Sequence, residues 1–171
     1  MVIRHAMPLT EAETCRKLVV PKLQAVGWDT EPHSIAEQRT ITDGRIVPVG
    51  RGFIRRAPRR VDYLLRFERN FPLAVVEAKA AWKTAGDGLQ QAREYVEMLG
   101  LKFAYATNGR EILEFDYFTG RETVISEYPT PAELWARYRA GNQLSDDIAA
   151  AARLLTPMNM PSARVSATIR K

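Results

Sequence analysis

Cysteine and long apolar runs are scarce in this sequence. Cys15 is the single cysteine, so no disulfide can form within the chain, and a reducing compartment is expected. No stretch approaches the roughly 20 apolar residues that a membrane-spanning helix requires, and residues 1–10 lack the apolar run of a signal peptide. We therefore expect a cytoplasmic protein without a membrane partner. Cys15 falls on the apolar face of a predicted helix, which favours a buried small residue over a nucleophile.

A phosphate-binding loop of the GxxxxGK[ST] type is also missing, so the chain is not expected to bind ATP itself. The 171 residues suit one domain, which we assign to 1–155. Residues 156–171 contain proline, serine and basic residues without periodicity, which is typical of a linker or flexible tail. The formal net charge of +5 favours a polyanionic partner, but ribosomal and membrane-surface proteins share such a charge.

Helix signals occur in three well-separated segments. Capping boxes at Thr10–Glu13 and Thr130–Glu133 open the first and the third. Asp87 is the predicted cap of the second helix, and Gly100 closes it. Pro21 interrupts the first helix, where we expect a kink or a restart. A further alanine-rich helix is expected over 145–155.

Strand signals lie between these helices. Residues 60–67 alternate between apolar and polar, and residues 73–80 form an apolar run, so the two are expected to pair as a hairpin about a turn at Arg69-Asn70. Shorter strands are expected at 39–41 and 45–49, on either side of a turn at Asp43-Gly44, and at 103–107, 112–117 and 123–126. The order of elements predicts an α/β fold with a mixed central β-sheet flanked by helices.

Two charged residues, Glu77 and Lys79, interrupt the apolar run at 73–80. Side chains alternate along a strand, so these two point to the same side. A buried charge without a partner costs several kcal/mol or more, so each of them requires compensation. One interpretation is a salt bridge at a sheet edge. The other is that Glu77 binds a divalent metal while Lys79 lies beside an attacking water.

Asp62 favours the second interpretation. It lies fifteen residues before Glu77, so the predicted hairpin can bring the two carboxylates together. Such a pair is costly unless a cation lies between them, and a few oxygen ligands suit Mg²⁺. The backbone carbonyl of Ala78 could add a ligand. Hydrolysis of a phosphodiester needs a nucleophilic water and stabilisation of phosphoryl charge, which a carboxylate-bound metal and a nearby lysine supply.

Three further features have both a functional and a structural interpretation. Gln91 and Tyr95 share one helix face and could hold a water or a phosphate, or be an ordinary surface glutamine and a half-buried tyrosine. Glu11 could reach the metal from the first helix or could stabilise the start of that helix. The basic stretch before Asp62 could contact DNA phosphates or form a solvated loop. Its candidate DNA-binding residues are Arg55, Arg56, Arg59 and Arg60.

Asp62, Glu77-Ala78-Lys79 and the hairpin between them resemble the PD-(D/E)xK nucleases, with Val61 in place of the usual proline. Gln91 and Tyr95 have the QxxxY spacing of one branch of that superfamily. The order of further segments resembles the N-terminal nuclease domain of type I restriction enzyme R subunits. These segments are Glu11–Thr14, Pro21, Gly27-Trp28, Arg60–Leu65, Val76–Ala80, Gln91–Tyr95 and Ala106–Gly109.

The resemblance implies a restriction-endonuclease-like core that cleaves double-stranded DNA with Mg²⁺, for which Mn²⁺ can substitute. The implied catalytic residues are Asp62, Glu77, Lys79, Gln91 and Tyr95. The implied metal ligands are Asp62, Glu77, Ala78 and Glu11. In that family the domain is joined to an ATP-driven motor domain and works with methylation and specificity subunits, so the tail would lead to a motor domain that this chain lacks. An inactive DNA-binding or assembly module and a stand-alone repair nuclease remain open as alternatives.

Overall fold

The computed structural model describes residues 9–41, 46–49, 52–55 and 58–144, with 46–49 and 52–55 described as backbone only. The expected turn at Asp43-Gly44, helix over 145–155 and tail over 156–171 lie outside these residues, so the domain boundary stays a prediction. No helix in the described part of the chain is long and apolar enough to cross a membrane.

The first helical segment is divided at Pro21, as expected. It consists of α1 (Glu11–Thr14), a π-helical stretch (Cys15–Val19) and α2 (Val20–Ala25). The Thr10 hydroxyl accepts a hydrogen bond from the Glu13 N–H, which confirms the predicted capping box. Pro21 lies in the first turn of α2, where a missing backbone N–H costs little.

Two longer helices follow, α3 (Gly86–Leu99) and α4 (Pro131–Gly141). Gly100 ends α3 in a left-handed conformation with φ of +68°, as its predicted role requires. The prediction that Asp87 caps α3 was wrong. A cap at Asp87 would start the helix at Gly88, but the helix begins two residues earlier, at Gly86, and the Asp87 carboxylate instead accepts a 2.9 Å hydrogen bond from the Thr84 N–H in the preceding turn.

The main sheet has six strands. In spatial order these are β1 (Ser34–Ile41), β4 (Arg59–Glu68), β5 (Phe71–Ala78), β6 (Phe103–Thr107), β7 (Ile112–Asp116) and β8 (Arg121–Ile125). β5 and β6 are parallel and are connected through α3, whereas the other neighbours are antiparallel. A separate hairpin pairs β2 (Ile46–Val49) with β3 (Gly52–Arg55). The mixed sheet and the hairpin of β4 and β5 are therefore confirmed.

Alternate residues of each strand point to opposite sides of the sheet, and helices cover both faces. On one face Val76 and Tyr105 join a core cluster with Leu23 of α2 and Leu134 of α4. On the other face Val75 and Ala104 join a cluster with Ala92 and Val96 of α3. β5 thus lies inside the sheet and is covered on both faces, and its two charges lie on the α3 side.

Candidate functional site

The register of β4 and β5 brings Asp62 to Glu77. Tyr63 with Val76 is the last pair at this end of the antiparallel ladder, and Asp62 and Glu77 are the next residues outward on the two strands. The carboxylate of Asp62 accepts a 2.9 Å hydrogen bond from the Ala78 N–H, which holds it across the end of β5. Burial raises the pKa of Asp62, although this hydrogen bond acts in the opposite direction. The predicted approach of the two acids is therefore confirmed.

Glu77 and Lys79 form an ion pair, with 2.9 Å between Lys79 Nζ and Glu77 Oε1. The Glu77 side chain is 3% exposed and that of Lys79 is 13% exposed, so the pair is largely removed from water. For Lys79, burial lowers the pKa, but the hydrogen bond to Glu77 and the surrounding carboxylates outweigh it and raise the pKa overall. Lys79 is accordingly held as an ammonium ion.

The second oxygen of Glu77 has no such partner. Oε2 is buried and accepts no hydrogen bond from the protein, although buried carboxylate oxygens are normally paired. Burial, and then the negative charge of Asp62, raise the pKa of Glu77 to about 7. Lys79 therefore stabilises Glu77 Oε1, whereas no hydrogen-bond donor among the described residues stabilises Glu77 Oε2.

α3 adds a hydrogen-bonded chain to this pair. Lys79 Nζ donates to Gln91 Oε1 over 3.0 Å, and Gln91 Nε2 donates to the Tyr95 hydroxyl over 2.7 Å. The side-chain oxygen and nitrogen of Gln91 are thus both hydrogen-bonded, and the bonds to Lys79 and Tyr95 determine its rotamer. The predicted placement of Gln91 and Tyr95 on one face of α3 is confirmed by their hydrogen bond, whereas the contact of Gln91 with Lys79 was not predicted and the catalytic roles stay a prediction.

Glu11 lies on the other side of Asp62. Together with Glu37, Gln38 and Cys15 it lines a cleft of about 380 Å³ that Asp62 also borders. The negative charge of Glu11 contributes to the raised pKa of both Asp62 and Glu77. Among the described residues no group of three or more acidic, histidine or cysteine side chains is close enough to hold a metal, so Glu11 does not complete a carboxylate trio. Its role as a ligand stays a prediction.

The predicted DNA-binding arginines occupy different positions. Arg55 ends β3, and Arg56 lies outside the described residues. Arg59 begins β4 and forms an ion pair with Glu94 of α3. Arg60 is exposed and lies two residues before Asp62 on β4. Its positive charge acts to lower the pKa of the Asp62 carboxyl. Two of the four arginines therefore lie at the start of β4, the strand that carries Asp62, and Arg59 is already engaged by Glu94.

Comparison with known proteins connects this geometry to one class of enzyme. The chain is 33% identical over 136 residues to the endonuclease subunit of the type I restriction enzyme EcoAI from Escherichia coli. The aligned region covers 76% of this chain. A solved fragment assigned to an HsdR subunit of a type I restriction enzyme from Vibrio vulnificus superposes with a TM-score of 0.73 at 52% identity over 82% of this chain. The chain is homologous to type I restriction endonuclease (HsdR) subunits. No family model matches.

The HsdR relatives are much longer proteins. The chain spans 17% of the Escherichia coli subunit and 27% of the Vibrio vulnificus chain. The resemblance inferred from short segments is thus confirmed at the level of the subunit, and the α/β fold agrees with that of the solved HsdR fragment.

One residue of the candidate site was missed in the sequence. Gly88, in the first turn of α3, lies against both members of the ion pair, because a β-carbon at this position would be 3.3 Å from Cγ of Glu77 and from Cγ and Cε of Lys79. The spacing of small residues along α3 is the feature of the sequence that indicates Gly88. Gly88 lies four residues before buried Ala92, and two small residues on one helix face indicate a close approach to the sheet.

Proposed function

We propose that this chain is a metal-dependent nuclease domain of the PD-(D/E)xK type that hydrolyses phosphodiester bonds of double-stranded DNA, as part of a type I restriction R subunit. One observation carries the proposal. A buried, unpaired carboxylate oxygen of Glu77 lies beside Asp62, while Lys79 is held between Glu77 and Gln91. Homology to HsdR endonuclease subunits supports the same conclusion.

The residues present fit a hard divalent cation. Asp62 has one carboxylate oxygen that does not bond to Ala78, Glu77 has Oε2, and the Ala78 carbonyl directly follows Glu77 in the chain. Such a small all-oxygen donor set suits Mg²⁺ or Mn²⁺, which retain several waters. When bound, the ion would lower the pKa of a coordinated water and neutralise charge on the phosphate. Burial and neighbouring carboxylates raise the pKa values of both acids, and a bound cation would act in the opposite direction.

In the proposed hydrolysis, Lys79 acts as a hydrogen-bond donor. Because its ammonium is stabilised by Glu77, it is positioned to donate to a phosphoryl oxygen or to the attacking water rather than to accept a proton. Gln91 restricts the direction in which the ammonium points, and Tyr95 restricts Gln91. The nucleophilic oxygen attacks phosphorus, and the bond to the leaving sugar oxygen breaks.

The partners follow from the relatives rather than from this site. We infer that the domain works beside an ATP-dependent motor and with methylation and specificity subunits. Exposed Arg60 next to Asp62 suits a phosphate contact that positions DNA without reading its bases. A cytoplasmic location is part of the same proposal.

The main alternative is a nuclease fold that has lost catalysis and that binds DNA or subunits, in which Glu77 and Lys79 are only a structural ion pair. The ion pair by itself is compatible with that function. It does not account for the unpaired Oε2 or for the proximity of Asp62, because a purely structural pair gains nothing from a second buried acid.

Plasmid cleavage by the 171-residue chain tests the proposal. We expect nicking with Mg²⁺ or Mn²⁺, none with EDTA, and a loss of at least a hundredfold in Glu77→Gln and in Lys79→Ala. Glu122→Gln, at an exposed carboxylate of β8, is the matched control and keeps the wild-type rate. Calorimetric titration with Mn²⁺ gives a readout without cleavage: binding that survives in Asp62→Ala would support the inactive module.

A further inference from the structure

We propose that Trp82 is a stacking platform for an unpaired base of the DNA strand that enters the Glu77 and Lys79 site. The inference deepens the proposed function and rests on it. It specifies the form of the substrate, a strand with at least one base out of its stack, at the point where the strand meets the domain.

Trp82 is exposed where a large apolar side chain is not expected. It is 58% exposed and follows Lys79 by three residues, in the connection between β5 and α3. In the described part of the chain Val124, at 62%, is the other exposed large apolar residue, and it lies on the edge strand β8. The exposed indole combines a large apolar face with an N–H donor, which is why tryptophan is enriched at interfaces.

The connection that carries Trp82 is held in place. Its ends are anchored by buried Ala80 and Ala85. Between them the Lys83 N–H donates to the Ala80 carbonyl over 2.9 Å, and the Asn108 side-chain amide donates to the Lys83 carbonyl over 2.8 Å. The indole is therefore presented on a preorganised loop, which reduces the entropy lost when a ligand binds.

The charges near Trp82 favour a polyanion. Lys83 follows it directly and is exposed. Arg110, also exposed, lies on the neighbouring loop, where its N–H bonds to Asn108 Oδ1 while the Asn108 amide bonds to Lys83. Within the described residues neither Lys83 nor Arg110 forms an ion pair. An aromatic face flanked by cations is the combination with which proteins bind single-stranded nucleic acid.

The partner must offer an open aromatic face. In an intact duplex both faces of each base are covered by its neighbours, so an indole on a loop can stack only where a base has left the stack. A positively charged loop next to the cleavage site therefore suits a single-stranded or locally opened segment better than continuous B-form DNA.

Intrinsic fluorescence provides a direct test. The chain has three tryptophans. Trp28 is buried and donates to the Pro129 carbonyl, and Trp135 is partly buried and stacks on Phe67 with 4.7 Å between ring centroids, so Trp82 is the most exposed of the three. We expect unlabelled oligothymidylate, added to the full chain in EDTA, to quench the emission more strongly than an intact duplex of equal length.

Three variants separate stacking from simple attraction. Trp82→Phe should lose most of the quenching and bind a labelled oligothymidylate within a few-fold of wild type. Trp82→Ala should weaken binding about tenfold, as base stacking on an aromatic side chain predicts. Val124→Ala is the matched control and should change neither.

The outcomes are distinct. Unchanged emission in the presence of oligothymidylate, equal affinity of Trp82→Ala and wild type, or stronger quenching by the intact duplex would each overturn the inference and leave Trp82 as a contact for protein. Loss of plasmid nicking in all conditions together with normal quenching would instead overturn the proposed nuclease activity and leave the stacking site standing.

Discussion

Gly88 of α3 lies so close to Lys79 that a single added methyl group would be 3.3 Å from two carbons of the lysine side chain. The helix therefore covers the ion pair directly, without an intervening side chain. This contact explains why a glycine occupies a buried position in the first turn of α3, where alanine would favour the helix by about 1 kcal/mol.

Gly88→Ala is expected to reduce cleavage at least tenfold while changing the free energy of unfolding by less than about 1 kcal/mol, because helix propensity offsets the crowding. Gly86→Ala is the matched control, since a β-carbon there meets no atom closer than 3.7 Å. Plasmid cleavage and urea unfolding measure the two effects. Equal cleavage by the two variants would show that the spacing above Lys79 does not matter.

Gln91→Ala should lower the cleavage rate by about ten- to a hundredfold, less than the loss of a general acid or base, because Gln91 only directs Lys79. The physical reason is that Lys79 loses its second acceptor at 3.0 Å and its ammonium is no longer directed. Gln90→Ala, at the exposed neighbouring position, should cleave like wild type. Tyr95→Phe should have a smaller effect, because it removes only the hydroxyl that accepts from Gln91. A Gln91 variant as active as wild type would remove this residue from the site.

Mn²⁺ affinity should increase as the pH rises towards neutrality. The pKa of Glu77 is raised to about 7, so below that pH its carboxyl carries a proton that a metal must displace. Affinity should thus rise by about tenfold per pH unit up to near neutrality and then level off, since one proton is released. Calorimetric titrations at several pH values measure this, with Glu122→Gln as the control that keeps the profile. A flat profile from pH 5 to 8 would contradict the role of Glu77.

Arg137→Met should destabilise the fold without affecting metal binding. Arg137 forms two hydrogen bonds to Glu114 and one to Asp116, whose side chains are 10% and 12% exposed. Its loss leaves two buried acids uncompensated, which costs about 2 kcal/mol for a pair that is still partly solvated. Arg121→Met, at an exposed position of β8, should change stability by less than about 0.5 kcal/mol. Urea unfolding measures both, and equal stability would contradict the burial argument.

The local patterns of the sequence determined much of the fold. The alternation along 60–67 and the apolar run at 73–80 predicted β4 and β5, and the capping boxes at Thr10 and Thr130 predicted two helix starts. These signals succeed because side-chain alternation and end-capping depend on residues within a few positions of each other.

Long-range packing decided the rest. That Asp62 meets Glu77 in register was predicted from the hairpin, but the hydrogen bond from the Ala78 N–H, the closeness of Gly88 and the pairing of Arg59 with Glu94 were not. The start of α3 was placed two residues late. The hydrogen bond from Ala78 depends on the register between β4 and β5, and the features of α3 depend on where the crossover between the parallel strands β5 and β6 places this helix. A single strand or helix pattern does not contain that information.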